Sequence, residues 1–261
     1  MDEIEKLKET ILKEYPRLYK ESKFKFNCHK NISCFNKCCT DVNIFLTPYD
    51  IIRLKNRLKI SSEEFLNKYT FLPIDEKQKH PVVMLKMKND ENKSCPFVGN
   101  EGCSVYKDRP WSCRMFPLGV ASPKENCNNG DGEFYFILEE PVCRGYEEER
   151  ELSIEDWIKD QQVEEYTDMG EKFKEISLHD YFKKGKQLEP AKLEMFYTVC
   201  YNIDKFREFV FESTFLKRFE VDEEIINKIK DDDEELLMFG FDWLKYCLFG
   251  EKTMKLKKTK R

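Results

Sequence analysis

Eight cysteines, spaced Cys28-x5-Cys34-x3-Cys38-Cys39, Cys95-x7-Cys103-x9-Cys113 and Cys143, constrain this chain more than any other feature. Four of them lie between residues 28 and 39. A buried structural cysteine behaves as a small isolated hydrophobe and has no reason to recur every few residues. Cysteine binds metal as the thiolate, and soft thiolates select zinc, copper(I) or iron-sulfur clusters over magnesium and calcium. The pattern therefore predicts a metal centre, built only when the fold brings the 28–39 segment to the 95–143 segment.

The spacing excludes familiar templates. Zinc ribbons, thioredoxin-type dithiols and bacterial ferredoxin runs use Cys-x2-Cys pairs, and none occurs here. A radical-SAM loop would need a third cysteine after Cys34-x3-Cys38, where Asp41 stands. Eight thiols would serve two four-ligand sites, or one site with spare redox-active thiols. Four thiolates around a divalent ion leave a net charge near -2, which calls for compensation. Arg109 and Arg114 flank Cys113 and are expected to donate hydrogen bonds to sulfur, whereas Lys30, Lys37, Lys93, Lys107 and Arg144 lie near the cysteines in sequence. His29 beside Cys28 is a ligand only if the site is of the Cys3His type, and reads as a neighbour. Cys127 reads as a spare thiol in a loop, and Cys200 and Cys247 as core residues on helix faces.

Lysine plus arginine number 45 against 50 aspartates and glutamates, a formal net charge of -5. That offers no global attraction to nucleic acid. The charged N-terminus lacks the pattern of a signal peptide, and no apolar run reaches membrane-spanning length, so neither membrane nor nucleic acid is expected as a partner and a cytoplasmic protein is. Disulfides seldom persist there, with hyperthermophile proteins an exception that this Lys/Glu-rich composition keeps open. Eleven cysteines also cannot all pair within the chain.

Periodicity predicts an α+β fold, mostly helical, with a small antiparallel sheet beside the cysteine-rich core and a helical C-terminal half. A first helix is expected over residues 2 to 20, one from Pro48 behind the N-cap Thr47, and one starting at Ser61 or Ser62. Strands are expected at Pro81–Met87 and Glu133–Leu138; if these pair, they frame the cysteines between them. Residues 118 to 132 read as an exposed loop, and helices follow at 154–176, 190–216, 221–230 and 233–249. The organisation expected is a metal-binding region over 1–150, a helical region packed on it over 151–250 and a basic, solvated tail over 251–261.

Residues 24 to 146 carry a resemblance. The cysteine loop from Cys28 to Cys39, then Phe45-Leu46-Thr47-Pro48-Tyr49-Asp50-Ile51, Cys95-Pro96-Phe97, Gly102-Cys103-Ser104-Val105-Tyr106 and Asp108-Arg109-Pro110-Trp111-Ser112-Cys113-Arg114-Met115-Phe116-Pro117 resemble the bacterial and archaeal cysteine-cluster family described as zinc- or iron-chelating. That family includes flagellin lysine N-methylase relatives. Many members open with a tighter Cys-x2-Cys-x2-Cys-Cys, which this chain expands. The resemblance implies zinc or iron as cofactor, an iron-sulfur cluster included, in a structural or redox role. It also implies an alternative, a metal-dependent protein lysine N-methyltransferase. No Gly-x-Gly-x-x-Gly turn, Walker loop or His-Glu-x-x-His helix accompanies it, and His80 and His179 receive no role. A third reading takes the cysteines as disulfide staples of a thermophile interaction protein.

Overall fold

A computed structural model describes residues 15–73, 78–121 and 133–258. Residues 2–14 of the expected first helix, and Cys127 in the expected loop, lie outside this set. The described remainder, 15–20, is not helical; Leu18 instead bridges Tyr135 in an antiparallel contact.

The described first half is a string of short strands and turns around three helices. Strand β1 (Lys23–Lys25) precedes the cysteine loop, and β2 (Phe45–Leu46) leads into α1 (Pro48–Leu58). Thr47 and Asp50 close a reciprocal capping box at the start of α1, Pro48 occupies the first turn, and Lys59 ends it in the left-handed conformation. Ser61 caps α2 (Ser62–Tyr69) by accepting the Glu64 amide. Next come β3 (Thr70–Phe71), β4 (Val83–Leu85), the hairpin β5 (Val98–Gly99) with β6 (Gly102–Cys103), helix α3 (Trp111–Met115), β7 (Leu118–Ala121), β8 (Phe134–Ile137) and β9 (Glu151–Ser153).

The fold is α+β, as expected, but the two expected strands do not pair with each other. β4 is the centre of a three-stranded antiparallel sheet in the order β2-β4-β3, with Phe45 and Phe71 both opposite Met84. All three of its residues are buried, as suits a strand covered on both faces. β8 pairs instead with β7, Gly119 opposite Phe136, so 118–121 is strand rather than loop. An alanine Cβ at Gly119 would collide with the Phe136 ring, and only glycine lets the two strands approach.

The second half is helical: α4 (Ile154–Asp160), α5 (Glu164–Ser177), α6 (Asp180–Lys183), α7 (Pro190–Tyr201), α8 (Ile203–Glu212), α9 (Phe215–Arg218), α10 (Glu223–Asp231) and α11 (Asp233–Leu244), with a π-turn over Lys245–Phe249 that Gly250 ends at φ 76°. Two expected long helices are broken, and polar side chains break them. Arg114 draws the Gln161 carbonyl to itself (2.7 Å) and Gln162 turns left-handed at φ 53°, which separates α4 from α5. Asn202 leaves helical geometry between α7 and α8, and its side chain caps α8 while accepting from the Ser62 hydroxyl at 2.8 Å. Strand β10 (Phe219–Glu220) pairs with β11 (Lys255–Leu256), so this part of the expected free tail is tied down.

Two apolar clusters hold these elements. The larger runs from Leu46, Leu54, Phe65 and Val83 into Phe196, Phe206, Leu236 and Leu244, so the sheet around β4 and the C-terminal helices share one core. The smaller gathers Phe24, Phe26, Met115, Leu118, Tyr135, Ile154 and Trp157. Among the described residues no helix is long and apolar enough to cross a membrane.

Candidate metal centre

The 28–39 loop is a run of turns. Amides of Ile32, Phe35, Lys37 and Cys39 donate to the carbonyls of His29, Ile32, Cys34 and Asn36 at 3.2, 3.0, 2.9 and 3.0 Å, and residues Lys37–Cys39 form one 3-10 turn. Asn36 (φ 69°) and Asp41 (φ 49°) take the left-handed conformations that such tight reversals need, and Asn and Asp tolerate them better than most residues. Both ends are pinned. Phe26 N–H donates to Arg150 O (2.9 Å) and Asn27 N–H to Gly145 O (3.0 Å), which holds the loop entry against the segment bearing Cys143. Cys95 N–H donates to Cys39 O at 2.8 Å and Thr40 bridges Ser94, which holds the exit against the segment bearing Cys95.

The β5–β6 hairpin carries Cys103 opposite Val98, whose amide donates to Cys95 O at 3.2 Å. Gly102 sits at φ 107°, and a Cβ there would come within 3.2 Å of the Phe35 ring, so the hairpin tip packs on the cysteine loop where only glycine fits. Cys113 rides on α3, and Asp50 sets where α3 begins. The Asp50 carboxylate, fully buried, accepts the Trp111 amide on one oxygen (2.8 Å) and the Thr47 amide and hydroxyl on the other (both 2.8 Å). Burial pushes this acid up to about 6 against the three hydrogen bonds that favour its charged form.

The ten described cysteines are free thiols. Cys34 is buried; Cys28, Cys38 and Cys113 keep exposed surface; Cys39, Cys95, Cys103 and Cys143 lie between. Cys113 is solvent-reachable yet crowded by protein atoms, as in a recess, and this desolvation pushes its thiol up to about 12. Cys28 is pushed up to about 11, first by desolvation and then by Cys38, Cys143 and Cys34. The Cys39 thiol donates to Cys38, which holds Cys38 low and Cys39 high, and Cys95 and Cys113 raise Cys39 further. Desolvation also raises Cys95, Cys103 and Cys143; Cys103 adds to the effect on Cys95, and Cys34 and Cys38 to that on Cys143. Cys200 is buried in the larger core, and Cys247 is half-buried at its edge.

Backbone amides reach four sulfurs. Arg144 N–H donates to Cys34 Sγ at 3.1 Å. The amides two residues beyond Cys95, Cys103 and Cys143, those of Phe97, Val105 and Gly145, favour the thiolate of each. An N–H aimed at sulfur stabilises the charged form that binds metal. Sequence inspection gives no sign of these donors, because every residue but proline has an amide; only the turn geometry aims it.

Arg109 and Arg114 act differently from expectation. Arg114, 2% exposed, donates to the carbonyls of Arg109 (3.1 Å), Gln161 (2.7 Å) and Lys107 and to the Tyr166 hydroxyl (3.1 Å), not to sulfur. Arg109 donates to Tyr106 O (2.6 Å) and to the Gln161 side chain, and stacks on Tyr106 at 4.0 Å. Its charge still reaches Cys28, Cys103 and Cys113, favouring each thiolate. Lys30, Lys93 and Arg144 are paired at the surface with Glu101, Asp41 and Glu147. Lys88, which the sequence did not single out, favours the Cys95 thiolate. Both His29 nitrogens are engaged, Nε2 with Glu148 at 3.0 Å and Nδ1 with the Asn31 amide at 3.3 Å.

Residues 27–144 match the family model CxxCxxCC, described as "Putative zinc- or iron-chelating domain". This segment is similar to that domain, and the likeness covers a little under half of the chain. The match opens just before Cys28 and closes just after Cys143, so it takes in all eight clustered cysteines and leaves out Cys200 and Cys247. Comparison with curated proteins and with solved structures gave no match. The donor chemistry of the CxxCxxCC segment suits a soft or borderline cation. Among the described residues no three His, Cys, Asp or Glu side chains are already grouped closely enough to hold an ion.

Proposed function

We propose that this protein binds zinc or iron, the latter alone or in an iron-sulfur cluster, through Cys28, Cys34, Cys38, Cys39, Cys95, Cys103, Cys113 and Cys143. One observation carries the reading: backbone amides favour the thiolates of Cys95, Cys103 and Cys143 and donate to Cys34, in a neighbourhood where burial alone would keep sulfur protonated. A core cysteine needs no such donors. Cys200, raised by burial alone, shows the contrast.

The chain's residues have defined tasks in loading. The cysteines must lose their protons, because thiolates and not thiols ligate. Arg109 offsets part of the negative charge that accumulates, from a buried position where its field is weakly screened. The thiols close by side-chain rotation on a backbone already held by the turns and bridges described above. A bound zinc or iron would supply cross-linking of two distant segments, and iron would add electron transfer.

Anaerobic purification with elemental analysis and a visible spectrum tests this. Colourless protein holding zinc, or brown protein holding iron and sulfide, is expected. Folded protein that neither retains nor takes up zinc or iron under reducing conditions sinks the reading.

A further inference from the structure

Resting on that metal-binding reading and deepening it, we propose that the eight cysteines form two separate four-thiol sites, set back to back across the Cys38–Cys39 peptide. One comprises Cys28, Cys34, Cys38 and Cys143; the other comprises Cys39, Cys95, Cys103 and Cys113.

Backbone geometry separates the sets. In the first, the bond from Asn27 N–H to Gly145 O lays the start of the loop beside Cys143, and Arg144 N–H to Cys34 Sγ brings the middle of the loop to the same place. The Cys143 thiol also hydrogen-bonds Cys34. In the second, Cys95 N–H to Cys39 O and the Thr40–Ser94 bridge join the loop exit to the segment before the hairpin. The hairpin then returns Cys103 over Cys95, and the Asp50–Trp111 bond brings in the helix bearing Cys113.

The two sets adjoin at the vicinal pair. Consecutive side chains of a 3-10 turn diverge by about 120°, so Cys38 and Cys39 set off toward different neighbours although their thiols share a hydrogen bond. The electrostatic neighbours follow the same division: Cys28 feels Cys38, Cys143 and Cys34, while Cys113 feels Cys95 and Cys103. Beyond its vicinal neighbour, Cys39 feels Cys95 and Cys113 most strongly. Four thiolates complete a tetrahedral zinc shell, so neither set needs the other. Arg109 is the shared element, since its charge reaches Cys28 of one set and Cys103 and Cys113 of the other.

Cobalt(II) titration of the reduced full-length chain, followed by thiolate-to-cobalt charge-transfer absorption and by elemental analysis after desalting, tests the division. Two ions per chain are expected. Cys34→Ser with Cys143→Ser should leave one ion bound with its charge-transfer band intact, and Cys95→Ser with Cys103→Ser should leave the other. A single ion per chain that either pair of substitutions abolishes overturns the division while the metal-binding reading stands. No ion bound by the unsubstituted chain overturns both. Should either variant fail to fold, cadmium-113 resonances of the unsubstituted chain decide: two in the thiolate region support two sites, and one overturns them.

Discussion

The loop bearing Cys143 is placed by a contact between backbone and ring that a single methyl group should break. Gly145 opens a short 3-10 turn, and an alanine Cβ there would stand 2.5 Å from Phe26 Cε2 and 3.0 Å from Cδ2 and Cζ. Carbon atoms pack at about 3.5–4.0 Å, so the ring or the turn must retreat by roughly 1 Å. The ring has nowhere to go. Phe26 is 2% exposed and meets Phe116 and Trp157 edge-on with centroids at 5.8 and 5.4 Å, with Tyr146 at 5.3 Å. Overpacking of this kind costs about 1–3 kcal/mol, and the lack of slack places Gly145→Ala at the upper end. Urea unfolding gives the cost. In a Phe26→Leu background the same substitution meets a smaller side chain, so the cycle should show a coupling of about 1 kcal/mol or more, within the usual range for contacting residues. Strict additivity, or a Gly145→Ala protein within about 0.5 kcal/mol of the parent as at an ordinary surface position, would refute the wedge. Because Gly145 also accepts the Asn27 amide and supports the Cys143 thiolate, weaker cobalt uptake should accompany the loss of stability.

Two further outcomes are expected. Cys200→Ser puts a hydroxyl into the apolar core, where an unsatisfied group costs about 1–3 kcal/mol; metal content should be unchanged, and a loss of bound metal would show that Cys200 belongs to the centre. His80 packs against Phe173, Phe182 and Phe196, and desolvation lowers it from its ordinary 6.5. The native state therefore disfavours its protonation: the stability it contributes is complete above about pH 6.5 and falls as pH drops toward the lowered native value, by at most about 1.4 kcal/mol per pH unit. Replacing it, His80→Phe, should flatten unfolding free energy against pH in that window, and an unchanged slope would exclude His80 as the source.

Local signals in the sequence were strong where one short segment settles the structure. Thr47, Pro48 and Asp50 announce α1 because capping is a matter between near neighbours, and Ser61 announces α2 for the same reason. The sequence also delimits the cysteine segment, because sulfur density is visible without any fold. Long-range choices were hidden. Val83–Leu85 and Phe134–Ile137 look alike as apolar strands, and nothing local says that one pairs with Phe45 and Phe71 while the other pairs with 118–121. The breaks at Gln161–Gln162 and Asn202 were equally hidden, since their causes, Arg114 and Ser62, lie far away in sequence. For the same reason the arginines near Cys113 read as sulfur donors: proximity in sequence suggested a partner that proximity in space reassigned.

That reassignment bears on how the CxxCxxCC segment keeps its shape. Arg114 is among the largest fully buried side chains, and two of its acceptors, the Gln161 carbonyl and the Tyr166 hydroxyl, lie beyond residue 144. Arg109 likewise relies on the Gln161 side chain, and Arg53, which pairs with Asp108 at 2.9 Å, reaches Glu165 at 3.3 Å. A buried guanidinium stripped of acceptors costs more than the roughly 1–3 kcal/mol of a neutral unsatisfied group. The turn between α4 and α5 is therefore part of the support for Cys113, although it contains no cysteine. A rigid frame of this kind suits the proposed centre, whose ligands would come from two segments: turns, bridges and buried arginines hold the backbone, and only the thiols would be left to move on binding a cation.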